Sequence, residues 1–173
     1  MSKIFKNTSG EVILGSQYPY VIEELIANAK KSISVMLFYI SYNPNNQKSR
    51  VNKLVNLLIE AKKRGVDVTV VIDKDKENDV YGSRTINLPT FEILKDNGIS
   101  VYFDTEEKVT HSKIVVFDKS IVVIGSHNWT VSSFTYYDDT SIKINSAEVG
   151  EYYSDYIDSH INASEKVRTA AKK

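Results

Sequence analysis

The residues best suited to take part in a reaction lie in the stretch HSKIVVFDKSIVVIGSHNW, which spans residues 111–129. Two apolar runs flank the turn residues DKS, so the pattern predicts a β-hairpin with strands over 113–117 and 121–124. Because the strands of a hairpin are antiparallel, the residues before the first strand lie beside those after the second. We therefore expect a polar cluster at one edge of a sheet, formed by His111, Lys113, Ser126, His127 and Asn128.

This cluster combines side chains that suit chemistry at a phosphate. His111 and Lys113 are two residues apart, so their side chains point to the same face of a strand. A cation and neutral hydrogen-bond donors can hold the non-bridging oxygens, while an imidazole attacks phosphorus or protonates a leaving oxygen. Gly125 allows the backbone to approach a neighbour closely just before Ser126.

Composition narrows the class of protein. The chain has 173 residues, 42% hydrophobic and 25% charged, which is typical of one globular domain. Its formal net charge is zero, so any binding of nucleic acid must use a local patch. There is no cysteine, no secretory signal pattern and no apolar run long enough for a membrane span, which favours a cytoplasmic protein.

Hydrophobic periodicity predicts alternating helices and strands. Helices are expected over 18–31 and 51–64, from Pro89 to Gly98, and in a last segment that carries Val149 to His160 at helical spacing. Strands are expected over 33–40, 66–73, 99–103 and 140–144, beside the hairpin. The order predicts a mixed α/β fold, a central mixed sheet flanked by helices. We expect a single catalytic domain over 1–165 and a flexible tail over 166–173.

Six residues of the hairpin match the spaced pattern HxKx4Dx6GSxN without a gap: His111, Lys113, Asp118, Gly125, Ser126 and Asn128. The pattern resembles that of the phospholipase D superfamily, and in particular its short nucleases with a single motif. The resemblance extends more weakly over about residues 10–160, including the passage LIEAKKRGVDVTVVID at 58–73.

The resemblance implies a mechanism and a partner. Family members need two motifs for one active site, so a chain with one motif is expected to form a homodimer with the site on the two-fold axis. His111 of one subunit would form a phosphohistidine, and His111 of the other would act as general acid and base. Lys113, Ser126 and Asn128 would hold phosphoryl oxygens, with no metal or other cofactor. Asp139 stands where the family places an acidic partner of the catalytic histidine, usually Glu.

Several other polar residues are assigned more modest roles. Asp118 belongs to the motif, but it opens the predicted turn, and we expect a structural role for it. His127 is a further candidate for substrate contact, with packing as the alternative. Lys48 and Arg50 are candidates for contacts to a nucleic-acid backbone. DKDKEND at 73–79 is interpreted as a solvated loop, because the calcium-loop pattern fails at Asn78 and Arg84. Trp129 is expected to pack in the core, with base stacking as the alternative, and His160 is expected to be partly buried on the apolar face of the last helix.

The functional hypothesis is a metal-independent phosphodiesterase, a hydrolase that cleaves DNA or RNA as a nonspecific endonuclease. A phospholipid hydrolase or phosphatidyl transferase is the first alternative, although no amphipathic membrane-docking segment is evident. The catalytic domain of a site-specific DNA endonuclease is another, and no helix-turn-helix or zinc finger is present to supply recognition. A dimeric nucleic-acid-binding module with a degraded site is the non-enzymatic alternative, and the intact motif argues against it.

Overall fold

The computed structural model describes residues 3–6, 8–76 and 78–170, with side chains as far as Ile161. The described residues form one mixed sheet of seven strands in the order β1-β7-β6-β5-β2-β3-β4. The strands are β1 (Ser9–Leu14), β2 (Ser32–Leu37), β3 (Asp67–Ile72), β4 (Ser100–Phe103), β5 (Lys113–Phe117), β6 (Ile121–Gly125) and β7 (Thr140–Asn145). The helices are α1 (Tyr18–Asn28), α2 (Arg50–Lys63), α3 (Ser83–Asp96), α4 (Val131–Thr135) and α5 (Ala147–Ala170).

The sheet changes direction at β2. Strands β2, β3 and β4 are parallel to one another, while β5 pairs antiparallel with β2, and β6, β7 and β1 continue antiparallel. This arrangement follows from the connections, because parallel neighbours need a helical crossover and antiparallel ones can be joined by a tight turn. The mixed α/β fold predicted from the sequence is confirmed.

Each face of the sheet is covered by helices. Successive side chains of a strand point to opposite faces, so Val35 belongs to the core cluster that includes residues of α1 and α2, while Met36 belongs to the cluster that includes Val149 and Ile157 of α5. Both faces of β2 are therefore buried, which explains its continuous apolar sequence. The sheet has little freedom to shift between these layers.

The third helix begins earlier than predicted. It starts at Ser83, and Pro89 lies inside it rather than at its first turn. The backbone N–H groups of Arg84 and Thr85 donate to the Asp79 carboxylate, which satisfies donors that a helix start leaves unpaired. Pro89 still falls within the second turn, where it removes one backbone hydrogen bond, and tertiary contacts of this helix outweigh that loss.

Strand β1 and helix α4 were not predicted at all. β1 pairs with β7 at the edge of the sheet, and α4 is a five-residue helix whose N-terminal Thr130 accepts a hydrogen bond from the Ser133 backbone. At the other end, α5 is helical through Ala170, while 171–173 lie outside the described residues. Among the described residues, no helix has the length and apolar character needed to cross a membrane.

Candidate active site

The predicted polar cluster lies where β5 begins and β6 ends. Lys113 is the first residue of β5 and pairs with Leu37, the last residue of β2. The segments that leave β2 and β6 then meet in a parallel bridge between Ile40 and Trp129. The Tyr39 backbone N–H donates to the Asn128 side-chain oxygen at 3.2 Å. Three chain segments therefore converge at one edge of the sheet.

His111 and Lys113 form the centre of this edge. His111 is exposed, whereas Lys113 is only 7% exposed. The Lys113 ammonium donates to the His111 carbonyl oxygen at 2.7 Å and lies 5.1 Å from the centre of the Phe38 ring. The Phe38 ring is also 4.8 Å from the imidazole, centre to centre. The His111 imidazole thus lies against an aromatic ring, and the Lys113 ammonium is held close to the His111 backbone.

The environment changes the acidity of both groups. Burial lowers the pKa of Lys113 from 10.5 to about 8, although Asp139 and Asp73 oppose the change. Desolvation, followed by the positive charge of Lys113, also lowers the pKa of His111, and Asp73 again opposes. A lowered pKa leaves more of the imidazole neutral near pH 7, and the neutral form is the nucleophile.

Asn128 and Ser126 differ in what they can offer a ligand. The Asn128 oxygen is occupied by the Tyr39 N–H, while its amide nitrogen has no partner among the described residues. Ser126 donates its hydroxyl hydrogen to the Asp139 carboxylate at 2.6 Å and accepts from the Thr140 N–H at 3.0 Å. Asn128 is therefore a free donor, whereas the hydrogen of Ser126 is already used.

Asp139 forms its hydrogen bonds with two serines and not with His111. Its two carboxylate oxygens accept hydrogen bonds from Ser126 and from Ser133 of α4, and the described residues include no hydrogen bond between Asp139 and His111. The Asp139 side chain is one methylene shorter than the Glu usual at this position. Within the chain, its carboxylate links α4 to the residue that follows β6, and its charge acts on Lys113.

Gly125 explains how β6 can end at the site. A Cβ atom at this position would lie 2.2 Å from the Thr140 carbonyl oxygen and 2.4 Å from the Ser141 Cα. Real side chains never approach backbone atoms this closely, so the contact between β6 and β7 requires glycine. The Ser126 N–H then donates to the same Thr140 oxygen at 2.9 Å. The close approach fixes the position of Ser126.

Asp118 lies at the opposite end of β5 from His111. Asp118 and Lys119 both have φ near 51°, the left-handed backbone conformation that tight hairpin turns use. The Asp118 carboxylate accepts hydrogen bonds from the backbone N–H groups of Lys30, Lys31 and Ser32, at 2.7–3.1 Å. These bonds also account for α1 ending at Asn28, short of the predicted residue 31. The geometry agrees with a structural role for this motif residue.

His127 is corrected from a candidate for substrate contact to a core residue. It is fully buried and stacks on Tyr18, with ring centres 4.3 Å apart. Its Nδ1 lies 2.8 Å from the Ser141 hydroxyl and its Nε2 lies 3.0 Å from the Gly15 carbonyl oxygen. Both nitrogens are therefore occupied inside the protein. Trp129 is also fully buried, as predicted, and donates to the Tyr18 hydroxyl.

The segment 73–76 is only in part the solvated loop that composition indicated, because Asp73 and Asp75 are buried while Lys76 is exposed. Asp73 is 1% exposed and accepts from the Ser83 hydroxyl at 2.5 Å and from the Thr110 N–H at 2.6 Å. Burial raises the pKa of Asp73 despite these two hydrogen bonds. Because Thr110 precedes His111, Asp73 fixes the backbone that enters the site. A carboxylate directly after a buried strand was the signal that could have identified it.

Lys48 and Arg50 do not line the cavity at His111. The Arg50 guanidinium donates to Glu23 and to the Tyr20 hydroxyl, both at 2.8 Å, and stacks over the Tyr20 ring. Both residues line a groove of about 440 Å³ along the start of α2, whereas the cavity at His111 has a different lining. No group of three or more His, Cys, Asp or Glu side chains in the described part of the chain is arranged to hold a metal ion.

Comparisons with known proteins agree with the motif. The sequence model of a family described as "Cardiolipin synthase, PLD-like domain" matches residues 22–161. A phospholipase D from Rickettsia prowazekii is 29% identical over 100 residues, 58% of this chain and 45% of that protein. Cardiolipin synthase 2 from Bacillus cereus is 31% identical over 112 residues, 64% of this chain and 19% of that protein. The chain thus spans less than half the length of these curated relatives.

Solved structures show the same fold. Nuc from Salmonella typhimurium, described as a phospholipase D family member, superposes with a TM-score of 0.72 at 23% identity, covering 90% of this chain and 96% of that one. NucT from Helicobacter pylori gives a TM-score of 0.68 at 12% identity, covering 91% and 98%. The family model spans most of the chain and includes the complete motif, so the chain belongs to the phospholipase D superfamily.

Proposed function

We propose that this chain is a homodimeric phosphodiesterase that cleaves nucleic acid without a metal ion, as a nonspecific endonuclease. The observation that carries the proposal is the cluster where β5 begins and β6 ends. There the exposed His111 imidazole lies near the Lys113 ammonium and the free amide nitrogen of Asn128. These groups match the needs of a phosphodiester: a nucleophile, a positive charge and a neutral donor for the non-bridging oxygens.

The reaction would proceed in two displacements. The neutral imidazole of His111 forms a bond to phosphorus while the bond from phosphorus to the leaving oxygen breaks, and His111 of the partner subunit gives that oxygen a proton. Water then attacks the phosphohistidine, the partner histidine takes the proton of the water, and the P–N bond breaks. Lys113 offsets the negative charge on the phosphoryl oxygens in both steps.

The resemblance to short nucleases with a single motif favours a nucleic-acid substrate over a phospholipid. The matches to Nuc and NucT cover nearly all of each protein, whereas the matches to the relatives named phospholipase D and cardiolipin synthase cover 45% and 19% of theirs. The short members with one motif that this chain resembles are mainly nucleases. The names of the curated relatives nevertheless make a phospholipid the second candidate substrate, and it belongs in the same assay.

The first test is cleavage in excess EDTA of single-stranded DNA, duplex DNA, RNA and phospholipid vesicles. Wild type is expected to cleave at least one nucleic acid, whereas His111→Ala and Lys113→Met are expected to be inactive. Lys63→Met is the matched control, because Lys63 is an exposed residue at the other end of the sheet, with only a surface ion pair to Glu60. Cleavage of vesicles alone would replace the nuclease assignment with the lipid one.

The shared site has a separate test. Wild type and His111→Ala are co-refolded at a one-to-one ratio, which gives about one quarter wild-type homodimers if subunits pair at random. A site that needs both histidines predicts about a quarter of wild-type activity, whereas independent sites predict about half. A native mass of one 19.6 kDa chain at micromolar concentration would contradict the dimer directly.

A further inference from the structure

A cavity lies beside His111, the proposed nucleophile. A cavity of about 340 Å³ is lined on one side by His111 and on the other by α5, with Lys108, Tyr156 and His160 among its lining residues. Its volume falls at the lower end of the range of about 300–1,000 Å³ typical of small-molecule sites. The proposed chemistry uses only His111 from this lining, so the other polar groups have no assigned role.

His160 is held in one orientation by a buried carboxylate. Its Nδ1 lies 2.8 Å from Asp104 Oδ2, and the Asp104 side chain is 4% exposed. The Thr110 hydroxyl donates to the same carboxylate oxygen. The His160 side chain is 27% exposed, and its Nε2 has no hydrogen-bond partner among the described residues. The sequence predicted a packed histidine; the structure adds a fixed ring with one nitrogen free.

Two other residues of the cavity lining add an aromatic ring and a positive charge beside His160. The Tyr156 ring is 38% exposed and meets the His160 ring edge to face, with centres 4.9 Å apart. Lys108 is exposed and forms no ion pair with any residue that the structure describes. An exposed aromatic face can stack on a base, and an imidazole nitrogen can form a hydrogen bond with a sugar or a base edge. An ammonium can pair with a phosphate.

Most residues of the lining are polar or charged, with Met36 and Val109 as the two apolar ones. Asp104, Thr105, Thr110, Ser112 and Ser159 also contribute to it, and polar groups covered by hydrocarbon lose their contacts with water without gaining a partner. A nucleotide presents both a ring face and polar edges, so it can cover the Tyr156 ring and still pair with the polar groups. The polar groups of the lining therefore favour a nucleotide over an acyl chain as the occupant of the cavity.

We propose that this cavity is a subsite for the nucleotide next to the scissile phosphodiester, with Tyr156 facing its base, His160 hydrogen-bonded to its sugar or base, and Lys108 paired with its outer phosphate. The proposal rests on the nuclease function and adds a binding determinant outside the motif. His160 is supplied by α5, so the substrate would be held between the start of β5 and the last helix.

The test compares two substrates. One is a single-stranded DNA oligonucleotide, which can fill the subsite, and the other is bis(p-nitrophenyl) phosphate, a small phosphodiester without a nucleoside. The measured quantity is the ratio of kcat/KM for the oligonucleotide to kcat/KM for the small diester. We expect this ratio to fall about tenfold in His160→Gln and in Lys108→Ala, and to stay within about twofold of wild type in Lys63→Ala.

The outcomes separate the two proposals. An unchanged ratio in both cavity variants, with both substrates slowed alike, would show that His160 only supports the segment that carries His111, and it would overturn the subsite. Lys108→Ala keeps the test valid if His160→Gln folds poorly, because Lys108 is exposed. If wild type cleaves the small diester but no nucleic acid, the nuclease function itself fails, and this is seen before any variant is compared.

Discussion

Replacing Lys113 with Met should make the protein inactive and more stable at the same time. Lys113 is 7% exposed and has a pKa of about 8 instead of 10.5, so the folded protein holds its proton less readily than the unfolded chain does. A lowered pKa of a base means that its charged form opposes folding. Met has a similar length and carries no charge, so the substitution removes this cost while preserving the packing.

The magnitude follows from the two pKa values. The difference between 10.5 and about 8 corresponds to about 3 kcal/mol at ~1.4 kcal/mol per pKa unit. Solvent at the open edge of the sheet screens the charge, so the expressed part is about 1–2 kcal/mol. Below pH 8 both states are protonated and the full cost is present. Between pH 8 and 10.5 the unfolded chain binds more protons, so wild-type stability rises relative to Lys113→Met.

The assay is urea unfolding of wild type, Lys113→Met and Lys63→Met at pH 7 and pH 10, at one fixed protein concentration because the proposed dimer would couple stability to concentration. Comparison with the variant cancels the titration of all other groups. The expected result is a variant about 1–2 kcal/mol more stable at pH 7, with the advantage largely lost at pH 10. If Lys113→Met is less stable than wild type at pH 7, and the two free energies of unfolding do not approach each other at pH 10, the reasoning is refuted and Lys113 is a structural residue.

Three further substitutions test the framework of the site. Gly125→Ala should cost at least about 2 kcal/mol in thermal or urea unfolding, because its Cβ would overlap the Thr140 carbonyl; a neutral effect would contradict the β6–β7 geometry. Asp118→Ala should lower the free energy of unfolding by about 1–3 kcal/mol, because three backbone donors lose their acceptor. Burial tends to raise the Asp118 pKa, but the three donors hold it below 3.8, so the contribution is present above pH 3.8 and fades as the pH falls further; acid unfolding curves that coincide would count against this role. Burial lowers the pKa of His127, so wild type should lose stability as the pH falls below 6.5, and His127→Gln should flatten this slope in unfolding measured from pH 7 to 5. An equal slope in both proteins would place the responsible group elsewhere.

The hairpin and its polar edge could be predicted from the sequence because both depend on local rules. A three-residue turn between apolar runs fixes the antiparallel pairing, and pairing brings the start of β5 beside the end of β6. The helix start at Ser83 was missed because Pro89 is a strong local signal, whereas contacts with distant segments stabilise this helix. Asn87 of α3, for example, bonds to the Ile40 N–H and to two carbonyl oxygens.

Contacts between residues far apart in the sequence explain the other differences between the predictions and the structure. β1 has six residues, five of them exposed, and its strand state depends on β7, which lies more than a hundred residues away. The burial of His127 depends on Tyr18 and Gly15, and no pattern around residue 127 indicates such partners. Asp139 was expected to contact His111, and its bonds to Ser126 and Ser133 depend on the placement of α4. These are side-chain contacts between elements, which periodicity does not encode.

The position of Asp118 has a consequence for genetics. The five residues of β5 separate it from the start of the site by about 17 Å at ~3.3 Å per residue, so one motif joins a residue for folding to residues proposed for chemistry. A cell that carries an Asp118 variant would lose activity through a smaller amount of folded protein, whereas a His111 variant would keep its amount and lose turnover. Phenotype alone therefore does not identify a catalytic residue within this motif, and protein abundance has to be measured beside it.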